Sequence, residues 1–204
     1  MPLEAKVLGQ NVNYPTDYCP LILVPVPRRL NREKYDINDP EALFRGYDTW
    51  HAYEAGFLTR KGLPVCGVLK IVYPANSPNL VESKSLKLYL NSLNMTRLGD
   101  DVPSGIESFV KIVKSDLEQI LETRIDIVFH TQETVPEYDF DNYAILEKLP
   151  EAAQTTFSEY TETPELLAEN MCQGGEIKVG SHLLRSNCKI TKQPDWGSVF
   201  IRLK

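Results

Sequence analysis

The 204-residue sequence predicts an α+β fold, an antiparallel sheet with helices packed on one face. Three observations carry that expectation. An aromatic and β-branched run spans 48–73 and is broken once, by a turn around Gly62 and Pro64. Two stretches at helical spacing follow it. A second strand-rich run then opens after Gly174-Gly175 and continues to the last residues.

Residues 1–45 carry Pro15, Pro20, Pro25, Pro27 and Pro40, so PVPRRLNR reads as an extended arm rather than a helix. DTWHAYEAGFL, 48–58, is expected to be a strand with a bulge at Gly56, and VCGVLKIVY, 65–73, its hairpin partner. PANSPN is a loop by composition. Beyond it, Leu86, Tyr89, Leu90 and Leu93 fit one helical face, with Ser83 as the expected cap. A capping-box pattern over Ser104 to Glu107 starts a second helix through Phe109, Val113, Leu117 and Leu121. IDIVFHTQE, 125–133, returns to a strand.

From 136 the acidic residues crowd together, which suggests an irregular connector over 136–172 between a first module, 1–135, and the start of a second, 173–204. In that last part EIKVGSHLLRSNCKI is expected to be a strand, TKQPDWG a loop and SVFIRLK a strand. No repeat of fixed period is present.

Composition narrows the functional classes. Ten Tyr, seven Phe and two Trp, with 42% hydrophobic residues, argue against disorder. No apolar run approaches the length of a membrane span, and the first residues lack the basic-then-apolar order of a secretory signal. A cytoplasmic protein with reduced cysteines is the expectation. The net charge of −6, from 22 basic and 28 acidic side chains, disfavours broad nucleic-acid binding. Cys19, Cys66, Cys172 and Cys188 show no zinc-ligand spacing, and neither a Rossmann fingerprint nor a P-loop occurs.

Two stretches hold residues suited to chemistry. In Glu82-Ser83-Lys84-Ser85-Leu86-Lys87, a helix start and two lysines three apart make a phosphate-sized basic site. Glu82 beside them suits the paired N–H donors of a heterocycle. The alternative is a capped, well-solvated helix start. In Ser186 to Gly197, Cys188 has Lys189 and Lys192 as neighbours, which favour the nucleophilic thiolate. Asp195 lies across the proline turn, close enough in sequence to exchange a proton there. The alternative is a buried cysteine followed by an ordinary turn. His51, His130 and His182 lie far apart in sequence, each read as structural or surface residues.

Taken together, VESKSLKLYLNSLN at 81–94 and SHLLRSNCKITKQPDWGSVFIR at 181–202 resemble the NADPH-dependent 7-cyano-7-deazaguanine reductases, the nitrile reductases of queuosine biosynthesis. VPRRLNR at 26–32 and the aromatic strand before KGLP at 61–64 are similar to the longer, bimodular form. The resemblance implies a tunnelling fold, like that of GTP cyclohydrolase I, and a homo-oligomer, dimer or higher. It implies reduction of the nitrile to the aminomethyl group of 7-aminomethyl-7-deazaguanine through a covalent thioimide. NADPH is the implied cofactor, with no metal, membrane or direct nucleic-acid partner.

Residue by residue, Cys188 matches the nucleophile and Asp195 the general acid. Glu82, Ser83 and the backbone near Lys84 match the substrate-binding positions, and Lys84, Ser85 and Lys87 the cofactor-binding ones. Bimodular members continue further, with a His-Glu pair that completes the substrate pocket. The expectation is therefore a second module cut short at the C-terminus. A non-catalytic deazapurine- or pterin-binding module of the same fold is the competing expectation.

Overall fold

The computed structural model describes residues 15–39, 45–131, 140–161, 163–166, 175–188 and 191–203. The chain divides into two compact units, Met1–Val135 and Pro136–Lys204. Antiparallel strand pairs and a small number of helices build them, in keeping with a mixed α and β fold. No helix among the described residues is long and apolar enough to cross a membrane.

In the first unit, β1 (Pro25–Pro27) pairs antiparallel with β4 (Asn79–Val81). β2 (Tyr47–Leu58), β3 (Pro64–Pro74) and β5 (Asp126–His130) form an antiparallel sheet in the order β2-β3-β5. The β2–β3 hairpin closes as its sequence predicts. Gly62 takes φ 91°, a left-handed value that a side chain would strain. The bulge, however, falls between Ala52 and Ala55 and not at Gly56, which keeps its pairing with Cys66. Register against β3 therefore decides where the extra residue goes.

Helices α2 (Ser83–Ser92) and α3 (Val102–Leu121) pack on one face of this sheet. Leu86, Tyr89, Leu90 and Leu93 are all buried, as their spacing requires. On α3, Phe109, Val113, Leu117 and Leu121 are fully buried. Phe109 stacks on Phe57 at 5.5 Å between ring centroids and meets the edge of Phe129 at 5.5 Å. A side chain at Gly105 would run into the Phe57 ring, so glycine permits that approach.

The cap of α3 lies earlier than Ser104. Asp101 is the N-cap and accepts the Ser104 N–H at 2.9 Å, while the Ser104 hydroxyl accepts from the Asp101 N–H at 3.3 Å. Pro103 fits this start because the first turn has no use for its missing N–H.

The arm is not wholly extended. Arg29–Arg32 forms a helical turn, α1, continued by a 3-10 turn at Glu33–Tyr35. After Pro27 no residue restricts the backbone to extended angles, and the N–H groups of Asn31 and Arg32 both donate to the Arg28 carbonyl. Arg28 itself is buried. Its guanidinium pairs with Asp48, donates to Ser77 Oγ at 3.1 Å and lies 5.8 Å from the Tyr73 ring centre.

In the second unit, β7 (Ile177–Asn187) and β8 (Pro194–Leu203) form the expected antiparallel hairpin. β8 begins earlier than the sequence suggests: Pro194-Asp195-Trp196-Gly197 lies in the ladder, not in a loop. Proline is tolerated there as the first residue of an edge strand. The segment expected to be irregular contains β6 (Ala144–Ile145), which pairs parallel with β7, and 3-10 turns at Leu146–Lys148 and Ala152–Gln154. Aromatic packing holds it: Phe140 stacks on Phe200 at 3.8 Å, and Tyr143 meets the same ring edge-on at 5.6 Å.

Candidate functional site

The candidate residues form two clusters, one in each unit. The first is the start of α2. β4 delivers the chain to Glu82, whose N–H donates to the Val24 carbonyl at 2.9 Å. Glu82, not Ser83, is the N-cap. Its Oε1 accepts the Lys84 N–H at 2.9 Å and its Oε2 accepts the Ser85 N–H at 2.6 Å. A carboxylate here satisfies two orphan donors at once and sits at the positive end of the helix dipole.

That arrangement alters the chemistry of the helix start. The N–H groups of Lys84 and Ser85 are already engaged, so an anion here is gripped chiefly by ammonium groups. Glu82 is only 7% exposed, yet each carboxylate oxygen keeps a second lone-pair direction for another donor. Ser83 is exposed and Lys84 half-buried. Ser85 is fully buried: its hydroxyl donates to the Glu82 carbonyl at 2.8 Å and accepts the Val24 N–H at 3.1 Å. It ties the arm to the helix. Lys87 is exposed, and its Nζ lies 3.0 Å from Glu54 Oε1 on β2. Glu54 went unnoticed in the sequence, where its one visible sign is the break in alternation that the bulge causes.

The second cluster is the turn end of the β7–β8 hairpin. Cys188 follows the last residue of β7 and is half-buried. Its N–H donates to the Gln193 carbonyl at 2.8 Å, and its carbonyl accepts the Lys192 N–H at 2.8 Å. Lys192 takes φ 61°, a left-handed conformation uncommon for a residue with a side chain. Lys189, the other expected neighbour, lies outside the described residues.

Asp195 pairs with Ser186 across the ladder and is exposed. Asp195 and Ser186, as directly paired residues, share one face of the ladder, and Cys188 follows two residues beyond Ser186, past the end of β7. Asp195 and Cys188 are thus diagonal neighbours, a relation that in antiparallel ladders separates the backbones by roughly 7–8 Å. Elsewhere on the hairpin, Arg185 lies 5.5 Å from the Trp196 ring centre, and His182 Nδ1 is 2.8 Å from Ser198 Oγ. His182 serves this unit's packing, consistent with a structural role.

Comparison with known proteins reaches the same family as the two motifs. Residues 14–129 match the family model described as nitrile reductase, 7-cyano-7-deazaguanine-reductase N-term. A protein of Acinetobacter baumannii (strain SDF) named NADPH-dependent 7-cyano-7-deazaguanine reductase is 36% identical over 204 residues, covering 100% of this chain and 72% of the relative. Proteins of the same name from Chromohalobacter salexigens and Coxiella burnetii are 37% and 38% identical. They align with 99% and 97% of this chain and with 70% and 68% of their own lengths. The chain therefore belongs to the 7-cyano-7-deazaguanine reductase family of nitrile reductases.

Proposed function

We propose that the chain carries out the reaction for which its relatives are named, NADPH-dependent reduction of the nitrile of 7-cyano-7-deazaguanine to the aminomethyl group of 7-aminomethyl-7-deazaguanine. One observation carries this reading: similarity to a reductase of that name runs through all 204 residues, and so includes both clusters. The reaction belongs to queuosine biosynthesis and acts on the base, not on nucleic acid.

In this reading the Cys188 thiolate attacks the nitrile carbon. One π bond of the C≡N group breaks, an S–C bond forms, and the nitrogen takes a proton from the Asp195 carboxyl to give a thioimide. A thiolate suits this weak electrophile better than a hydroxyl at neutral pH. The register supports this role, because it sets Asp195 opposite Ser186, two residues along the hairpin from Cys188. Two NADPH molecules, bound in succession, supply the two hydrides, and one further proton, added to the one from Asp195, completes the balance to the amine. The S–C bond breaks before the product leaves, returning the thiolate.

Glu82 accepts the N–H donors of the deazaguanine edge through its remaining lone pairs, assisted by the exposed Ser83 hydroxyl and by Lys84. The donors at the start of α2 suit a phosphate-bearing cofactor: Lys84 and Lys87 present ammonium groups one turn apart. Ser85 contributes from behind them by fixing the helix start. A tunnelling-fold homo-oligomer in the cytoplasm completes the reading, supported by antiparallel sheets with helices on one face in the first unit and by the thiols of Cys19 and Cys66.

Mixing the chain with the nitrile and NADPH tests the function directly. Loss of NADPH absorbance that requires the nitrile, with two NADPH consumed per aminomethyl product, is expected. Nitrile binding with no NADPH consumption contradicts it and favours a non-catalytic deazapurine-binding module.

A further inference from the structure

Ala52 pairs with Leu69 and Ala55 with Gly67, so Tyr53 and Glu54 together stand opposite Val68. Strict alternation from Ala52, which is buried, would send the Glu54 side chain to the same face, toward the core under the helices. The bulge gives that place to Ala55, 2% exposed, and leaves Glu54 at the rim facing α2. There its carboxylate meets the Lys87 ammonium at 3.0 Å. The bulge thus aims a particular side chain, a use bulges commonly serve.

We propose that Glu54 is a positioning residue, holding the Lys87 ammonium in place to receive a phosphate of the nicotinamide cofactor. The inference rests on the proposed function and extends it. Lys87 is exposed, with a flexible four-carbon stem, and ordering that stem before binding removes part of the entropic cost of gripping a ligand. β2 is hydrogen-bonded to β3 and packed against the core, so it offers a fixed anchor. Lys84, one turn earlier, has no ion pair among those the structure describes, which makes Lys87 the cation whose position β2 controls.

Both partners are substantially solvent-accessible, so the effect is modest, about two- to fivefold in affinity. The test is NADPH binding, followed by fluorescence titration without turnover, in wild type, Glu54→Gln, Glu54→Asp, Lys87→Met and the double variant Glu54→Gln/Lys87→Met. Thermal unfolding checks that each is folded. Glu54→Gln is expected to bind NADPH about two- to fivefold more weakly, with Glu54→Asp recovering part of the loss. The double variant should match Lys87→Met, because Glu54 acts only through that lysine.

Equal or tighter binding by Glu54→Gln overturns the proposal, since the carboxylate would then merely repel the phosphate. Losses that add in the double variant overturn it too. Wild type that binds no NADPH refutes the functional reading and this inference together. Wild type that binds while Glu54→Gln is unchanged refutes this inference alone.

Discussion

Ser85 is the residue where motif and structure part most usefully. In the motif it stands among cofactor-binding positions; in the fold its hydroxyl is buried between the Glu82 carbonyl and the Val24 N–H. Removing the hydroxyl leaves a buried backbone donor unsatisfied, which costs about 1–3 kcal/mol. Ser85→Ala is accordingly expected to lower the urea midpoint by a corresponding amount, and an unchanged midpoint would show that the arm is not tied there. Glu82 carries a comparable double duty, since the carboxylate proposed to read the heterocycle also caps α2. The Ser85 contact is not visible in the sequence, because Val24 arrives from far along the chain, whereas the Glu82 cap is local and competes only with Ser83, a commoner capping residue.

At the scale of elements, α2 and α3 are joined by a shared carboxylate. Asp116 Oδ2 accepts the hydroxyls of Tyr89 at 2.5 Å and Tyr18 at 2.7 Å, linking both helices to the arm. Burial, followed by the hydrogen bond to Asp116 and its charge, raises both phenols; Tyr18 is pushed up to about 12. A group whose proton is held more tightly in the folded state stabilises fully below its unfolded value, near 10, and loses that contribution as pH rises through the folded one. The chain should therefore lose thermal stability from pH ~10 upward, and Tyr89→Phe should flatten that decline. An equally steep decline in the variant would remove the clamp from the account.

The same scale shows what a sequence reveals about elements. The β2–β3 hairpin and the buried faces of α2 and α3 were legible because alternation and helical spacing are local patterns. The β1–β4 pair, three residues each, was not, since its strands are defined only by each other. Glycine at 56 is only a local hint of a bulge, whereas register against β3 sets its true place between Ala52 and Ala55. Both Asp101 and Ser104 suit the cap of α3 by residue type, and only the hydrogen bonds separate them.

For the whole molecule, the family was legible in the two motifs, as the matching relatives show. Cys188 and Asp195 lie close in sequence on one hairpin, so local spacing was enough to bring them together. Glu54 and Lys87 belong to different elements, and nothing local connects them. The proposed function rests finally on Cys188 acting as the nucleophile. The most direct measurement is the absorbance of the chain after incubation with 7-cyano-7-deazaguanine in the absence of NADPH. A thioimide band is expected in wild type and absent in Cys188→Ala; a band that persists in Cys188→Ala, or none in wild type, contradicts the account.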